Sequence, residues 1–320
     1  MSEKTIHLSS CIKGFIFHCQ YEKNLSPKTI NAYSIDLEQF QSYINEQKEN
    51  LDICNVSKDL IKNYLQTIYH FKPKTVKRKV ASLKAMFNYL EYEDDDFINP
   101  FRKIKIRLKE PKILPVVMTI SEVKKILSAL YEELNSNSKT EAYTYKAQIR
   151  NIAIVELLFA TGMRISELCN LKTTDIDLKT GIIKVFGKGS KERIMQICNP
   201  DIKSLLKKYR KLYVNHRIEN DENFFINRLG KPVSTQSVRL MLRQHVQKSS
   251  ISKNITPHTF RHTFATLLLE ENVDIRYIQS MLGHSSINTT QIYTHVNTEN
   301  QRKILATKHP RKKLNFSVDE

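Results

Sequence analysis

The sequence predicts a mainly α-helical protein with a small β-sheet in the second of two domains, and three observations carry that reading. Apolar residues recur at three- and four-residue spacing from about residue 12 to residue 101, with a helix-start signal at each restart. A basic stretch closed by two prolines, residues 102–115, then interrupts the pattern. Beyond it helical periodicity resumes, broken by a glycine-rich segment at 181–197 that alternates as paired strands do. At 320 residues the chain is long enough for two ordinary cores, set at 1–105 and 119–320 with a basic linker at 106–118.

In order, Ile12, Phe15, Ile16 and Cys19 mark a first helix, and Ser26-Pro27 opens a second with the stripe Ile30, Tyr33, Leu37 and Phe40. Ser57 opens a third, with Leu60, Ile61, Tyr64, Leu65 and Ile68. After Pro73 a fourth buries Val76, Val80, Leu83, Phe87 and Leu90. Its outer face carries Lys74, Lys77, Arg78 and Lys84, a single-signed run that suits a phosphate backbone better than plain solvation. In 102–115 basic and apolar residues alternate, so the stretch is expected to be extended, with Arg102, Lys103, Lys105 and Arg107 facing the same anion.

Thr119 followed by Glu122 is a capping box that opens the second domain. Residues 131–147 are polar and irregular and are expected to form a surface loop. Ile154, Leu157, Leu158 and Phe159 then form a buried helix that Thr161-Gly162 stops. Arg164 follows amid apolar sequence, where it is costly unless an anion or Glu167, three residues on, meets it. Gly181 to Ile197 reads as two strands joined by a turn in which two glycines flank Lys188, a sign that this backbone approaches something closely.

The stretch from Thr256 to Val296 holds most of the candidate chemistry. Thr256-Pro257 starts a helix that places His258 and Arg261 on one face of its positive first turn, while Phe260, Phe264, Leu267 and Leu268 face a core. A second helix with the stripe Ile275, Ile278, Met281 and Leu282 stops at Gly283. His284 follows, and Ser285 or Ser286 caps a third helix carrying Tyr293. His258 and His262 have the spacing of a zinc pair, but Thr259 stands where a glutamate base would and no third ligand is signalled, so no metal is assigned. A plain helix-turn-helix DNA reader remains open on this stretch alone.

Composition narrows the classes. The chain is 40% hydrophobic and 26% charged, which is globular, and its formal charge of +18 points to a large anion. Nucleic acid comes first and an acidic membrane surface second. No apolar run spans a bilayer and MSEKTIHLSS lacks a signal-peptide core, so a cytosolic protein is expected. The five cysteines (Cys11, Cys19, Cys54, Cys169 and Cys198) form no C-x-x-C pair and read as apolar fillers in a reducing compartment. Without a G-x-x-x-x-G-K-[ST] loop, nothing suggests nucleotide hydrolysis.

Arg164 in TGMRISEL, Lys188 in GKGSKER, His258 and Arg261 in HTFRH, His284 in LGHSS and Tyr293 in TTQIYTHV resemble, in order and spacing, the active-site set of the tyrosine recombinases, or phage integrases. The last stretch is similar to the Xer branch. The resemblance implies a helical core-binding domain that clamps DNA, an α+β catalytic domain with a C-terminal assembly tail, and a site-specific recombinase that works without metal or cofactor. It also implies double-stranded recombination sites as partner and a tetramer on DNA, with accessory DNA-binding proteins or a paralogous recombinase as further partners, in the cytoplasm at the nucleoid. The segments 131–147 and 310–320, longer than in a compact Xer protein, favour the integrase of a mobile element.

The implied chemistry is a phosphoryl transfer. Arg164 and Arg261 neutralise the phosphodiester, with His284 adding a hydrogen bond. Tyr293 attacks, His258 is its base, and Lys188 protonates the departing 5′-oxygen. A small type IB topoisomerase forms the same covalent bond and is the alternative enzyme, though small ones carry lysine where His258 stands. A non-enzymatic DNA reader would have no use for Arg164 and Lys188.

Overall fold

The computed structural model describes residues 7–47, 52–106, 114–136, 142–187, 192–213, 222–283, 298–314 and 316. The chain divides into two compact units, Met1–Ile113 and Leu114–Glu320.

The first unit is helical throughout its described residues: α1 (Leu8–Phe17), α2 (Pro27–Gln47), α3 (Lys58–Thr67) and α4 (Pro73–Glu93). α1 runs on into a wider π-type turn, His18–Glu22. The predicted starts hold, since Ser26 Oγ accepts from the Thr29 amide at 3.3 Å and Ser57 Oγ from the Leu60 amide at 3.2 Å. Phe15, Leu37, Phe40, Ile61, Leu83 and Phe87 are buried in one core. An ionic cluster sits within it. Asp36, fully buried, accepts from Ser82 Oγ at 2.8 Å and Lys79 Nζ at 3.3 Å and pairs with Arg78, which locks the register of α2 on α4.

The alternation at 102–115 predicts an extended start, and the structure differs there. Pro100–Lys103 form a 3₁₀ turn capped by Asn99, whose Oδ1 accepts from the Phe101 amide at 2.9 Å. Phe101 and Ile104, three apart as a helical turn requires, are both buried in the first unit.

In the second unit α5 (Ile120–Ser136), α6 (Ala142–Thr161) and α7 (Ile165–Cys169) lead into an antiparallel sheet β1-β2-β3. Its strands are β1 (Ile176–Asp177), β2 (Ile182–Phe186) and β3 (Glu192–Gln196), with Ile182 opposite Gln196 and Phe186 opposite Glu192. Then come α8 (Pro200–Tyr213), α9 (Thr235–Lys248), α10 (Pro257–Glu270), α11 (Ile275–Leu282), α12 (Thr298–Lys308) and a 3₁₀ turn, Pro310–Lys313. The predicted capping box forms: the Thr119 amide donates to Glu122 Oε2 at 2.8 Å and the Glu122 amide to Thr119 Oγ1 at 3.2 Å. α6 is the axis of this unit, its residues Ile149 to Phe159 buried almost without break, and α5, α8 and α10 pack around it.

Two expectations for the second unit fail. Within 131–147 a surface loop is predicted, but 131–136 complete α5 and 142–147 begin α6. Tyr131 and Leu134 extend the stripe of Val123, Ile126, Leu127 and Leu130 at helical spacing, which the polar residues between them obscure. Ile275, expected in the core, is 53% exposed at the first position of α11, while Ile278, Met281 and Leu282 are buried.

Candidate active site

The ends of α6 and α11 meet α10 in the second unit. α6 stops at Gly162, which takes a left-handed φ of +59°; a Cβ there would lie 2.7 Å from Phe264 Cδ1 and 3.0 Å from Leu282 Cδ2. Only glycine both turns the chain here and lets α10 and α11 approach it. α11 stops likewise at Gly283, with φ +63°. These two stops present backbone carbonyls on the same small region, and two arginines bind them.

Arg261, on α10, is 6% exposed and donates from Nη1 to the Gly162 carbonyl at 3.0 Å and from Nη2 to the Leu282 carbonyl at 2.6 Å. Arg164, at the start of α7, donates from Nη2 to the next carbonyl, that of Gly283, at 3.3 Å. Its side chain remains 35% exposed. Residues 97 positions apart in the chain therefore bring their guanidiniums to consecutive carbonyls. Burial, reinforced by the charges of Arg164 and Arg193, pushes the Arg261 pKa down to about 10, which still leaves it charged near neutrality.

Glu167 is the buttress expected for Arg164. It accepts Arg164 Nη1 on Oε1 at 2.8 Å and the Arg164 amide on Oε2 at 2.8 Å. Arg193, which the sequence reading passed over, is a second partner, donating to Oε1 at 3.0 Å and Oε2 at 2.7 Å. Burial alone would raise the Glu167 carboxyl, but the bonds from Arg193 and Arg164 outweigh it and hold the group below the usual carboxylate range. The signal for Arg193 was the strand alternation, which sets it on the face of Met195 and Ile197, both buried.

Thr256 caps α10 as predicted, its Oγ1 accepting from the Thr259 amide at 3.4 Å. His258 is exposed on the first turn, and partial burial together with the charges of His262, Arg261, Arg239 and Arg164 lowers its pKa. Lys188, His284 and Tyr293 lie outside the described residues, as does Arg107. In the first unit Lys74, Lys77, Arg78, Arg102, Lys103 and Lys105 are exposed. Arg102 pairs with Glu91, and Lys84 is half-buried with its ammonium 5.9 Å from the Phe101 ring centre.

Residues 117–300 match the phage integrase family and residues 12–94 the phage integrase N-terminal SAM-like domain. A tyrosine recombinase of Agathobacter rectalis is 48% identical over 311 residues, 97% of this chain and 99% of the relative. Tyrosine recombinase XerC of Staphylococcus epidermidis is 34% identical over 93% of this chain and 97% of its own. Among solved structures, XerH bound to its difH substrate in a pre-cleavage complex aligns with a TM-score of 0.68 and 25% identity over 90% of this chain and 83% of that one. A lambda integrase dimer on a COC′ core site shares the fold at a TM-score of 0.65, with 19% identity, 88% of this chain and 96% of that one covered. The two relatives and XerH are recombinases, and the topoisomerase and plain-reader alternatives have no counterpart among them. A paired-arginine site and a family match across both units lead to one assignment: the chain belongs to the phage integrase family and is an Xer-like, tyrosine-type site-specific DNA recombinase.

Proposed function

We propose that Arg164 and Arg261 bind the scissile phosphate of a double-stranded recombination site and that Tyr293 attacks it. The observation that carries this reading is the convergence of the two guanidiniums on the consecutive carbonyls of Leu282 and Gly283, with Glu167 left to balance only part of the positive charge. Such a cluster of like charges is costly by itself and is relieved by an anion. Planar guanidiniums suit the equatorial oxygens of a phosphoryl group, whose charge rises in the transition state.

In the proposed step the Tyr293 oxygen forms a bond to phosphorus while the bond to the 5′-oxygen breaks. The phenol proton passes to His258, whose pKa, lowered in the free chain, favours the neutral form that can accept it. Lys188 gives a proton to the 5′-oxygen, and His284 donates to a non-bridging oxygen. The 3′-phosphotyrosyl bond keeps the phosphodiester energy, so a 5′-hydroxyl from a second duplex reseals it by the reverse transfer.

Lys74, Lys77, Arg78, Lys84, Arg102, Lys103, Lys105 and Arg107 are proposed to grip the duplex backbone, with residues 1–105 as the clamp and 119–320 as the catalytic domain. XerH has been captured on its difH substrate, and lambda integrase, alike in fold, as a tetramer on a Holliday junction. We carry over DNA sites and a tetramer to this chain, with the tail beyond Tyr293 as an assembly element, in the cytoplasm on nucleoid DNA. No described helix is long and apolar enough to cross a membrane.

The deciding experiment is Tyr293→Phe on a nicked suicide duplex. Binding should persist and no covalent protein–DNA adduct should form; an adduct in the variant removes Tyr293 from the role.

A further inference from the structure

We propose that Arg193 is a positioning residue of the strand-transfer reaction, one that holds Arg164 in place and leaves its charge free for the phosphate while making no phosphate contact itself. The proposal rests on Arg164 being a phosphate ligand, as argued above.

Arg193 spans both oxygens of Glu167 with its guanidinium, where Arg164 reaches one and Arg261 donates to the carbonyls of Gly162 and Leu282. Nη1 and Nη2 form the two-pronged bond to Glu167, at 3.0 and 2.7 Å, and Nε donates to the Met281 carbonyl at 2.8 Å. Its side chain is 10% exposed against 35% for Arg164, so the two arginines on one carboxylate are not equivalent. The inner one is committed to the fold and the outer one faces solvent.

The charges explain why both are present. Arg164, Arg193 and Arg261 carry three positive charges and Glu167 one negative, a net of +2. Were Arg193 absent, Glu167, 5% exposed, would have Arg164 as its guanidinium partner and would draw that charge away from an incoming phosphate. With Arg193 across both carboxylate oxygens, Glu167 is compensated from behind and serves Arg164 as a geometric anchor.

The same side chain supports the end of α11. A Cβ at Gly283 would lie 3.2 Å from Arg193 Cδ and 3.4 Å from its Nη1, so the left-handed turn is packed on this guanidinium. The Gly283 carbonyl accepts from Arg164, and the Met281 carbonyl, two residues earlier, accepts from Arg193. Arg193 thus fixes Arg164 from two sides, through the carboxylate and through the carbonyl end of the helix.

The test is single-turnover cleavage of a suicide duplex by the full chain, with the wild type, Arg193→Ala, Arg193→Gln, Arg164→Ala and the Arg193→Ala/Arg164→Ala double variant. A second duplex carries a methyl group in place of one non-bridging oxygen, which removes the scissile phosphate's charge. Arg193→Ala should cleave the ordinary duplex roughly 10- to 100-fold more slowly, with DNA binding retained. The double variant should be no slower than Arg164→Ala, since the two act through one contact. On the uncharged duplex both single defects should shrink together. Wild-type rates in Arg193→Ala, full additivity in the double variant, or an Arg193→Ala defect that persists on the uncharged duplex while that of Arg164→Ala shrinks would each overturn the proposal. Arg193→Gln, which keeps an amide donor, replaces Arg193→Ala in every comparison should the alanine variant not fold. An Arg164→Ala variant as fast as the wild type would instead show that the phosphate-binding reading itself had failed, and this proposal with it.

Discussion

Arg311 and Glu156, 155 positions apart, form a two-pronged ion pair in the interior, with Nε to Oε2 at 2.7 Å and Nη2 to Oε1 at 2.8 Å. Their side chains are 1% and 0% exposed. The Tyr131 hydroxyl donates to Glu156 Oε1 at 3.0 Å, and Arg311 Nη1 donates to the Leu314 carbonyl at 2.6 Å. The segment around Pro310–Lys313 is therefore bonded into the central helix α6. Removing one member leaves the other charge buried and uncompensated, so Arg311→Ala should destabilise the second unit by about 3–5 kcal/mol, and the double exchange Glu156→Met with Arg311→Met by much less. Chemical denaturation of the full chain measures this; a loss under about 1 kcal/mol for Arg311→Ala would show the pair to be dispensable.

His309, two residues before Arg311, makes this region acid-sensitive. Burial pushes its pKa from 6.5 down to about 4, and the Arg311 charge adds to the effect. Its Nδ1 accepts from the Arg311 amide at 3.0 Å, and its ring lies among those of Phe159 and Phe264. The unfolded chain binds a proton near pH 6.5 while the folded chain resists it, so stability is full above that pH and falls as the pH drops towards 4. The loss amounts to roughly 3 kcal/mol, after which this group adds nothing more. His309→Gln should lose less stability than the wild type between pH 7 and pH 4. Parallel curves for the two proteins would remove His309 as the cause.

What the sequence made legible was local. Gly162 and Gly283 could be read as helix stops because a left-handed residue beyond an apolar stripe has a short-range signature, and Thr256-Pro257 and Thr119…Glu122 are cap signatures of the same kind. Glu167 could be paired with Arg164 because its position three residues on allows the contact. Arg193 and Arg311 escaped because each owes its burial to a carboxylate 26 or 155 positions away. Lys79 is intermediate: it falls within the stripe of Val76, Val80 and Leu83, and only Asp36, from α2, explains how a lysine is tolerated there.

His258 gives the reaction a pH signature. A base for Tyr293 must be neutral before the reaction, and the partial burial and surrounding positive charge that lower its pKa favour the neutral form in the free enzyme. As the pH falls through that lowered value the imidazole gains a proton and the base is lost, so the rate declines on the acid side by about tenfold per pH unit. A bound phosphate works the other way, since its negative charge stabilises the imidazolium. The two cases separate experimentally: cleavage at subsaturating DNA reports the free enzyme, and cleavage at saturating DNA reports the complex. The acid limb at subsaturating DNA should therefore lie below the ordinary histidine value of about 6.5 and should move to higher pH once DNA saturates the enzyme. His258→Gln should cleave roughly 10²–10⁴ times more slowly and lose the limb in both regimes. A limb that survives unchanged in His258→Gln would assign the titration, and the base, to another group.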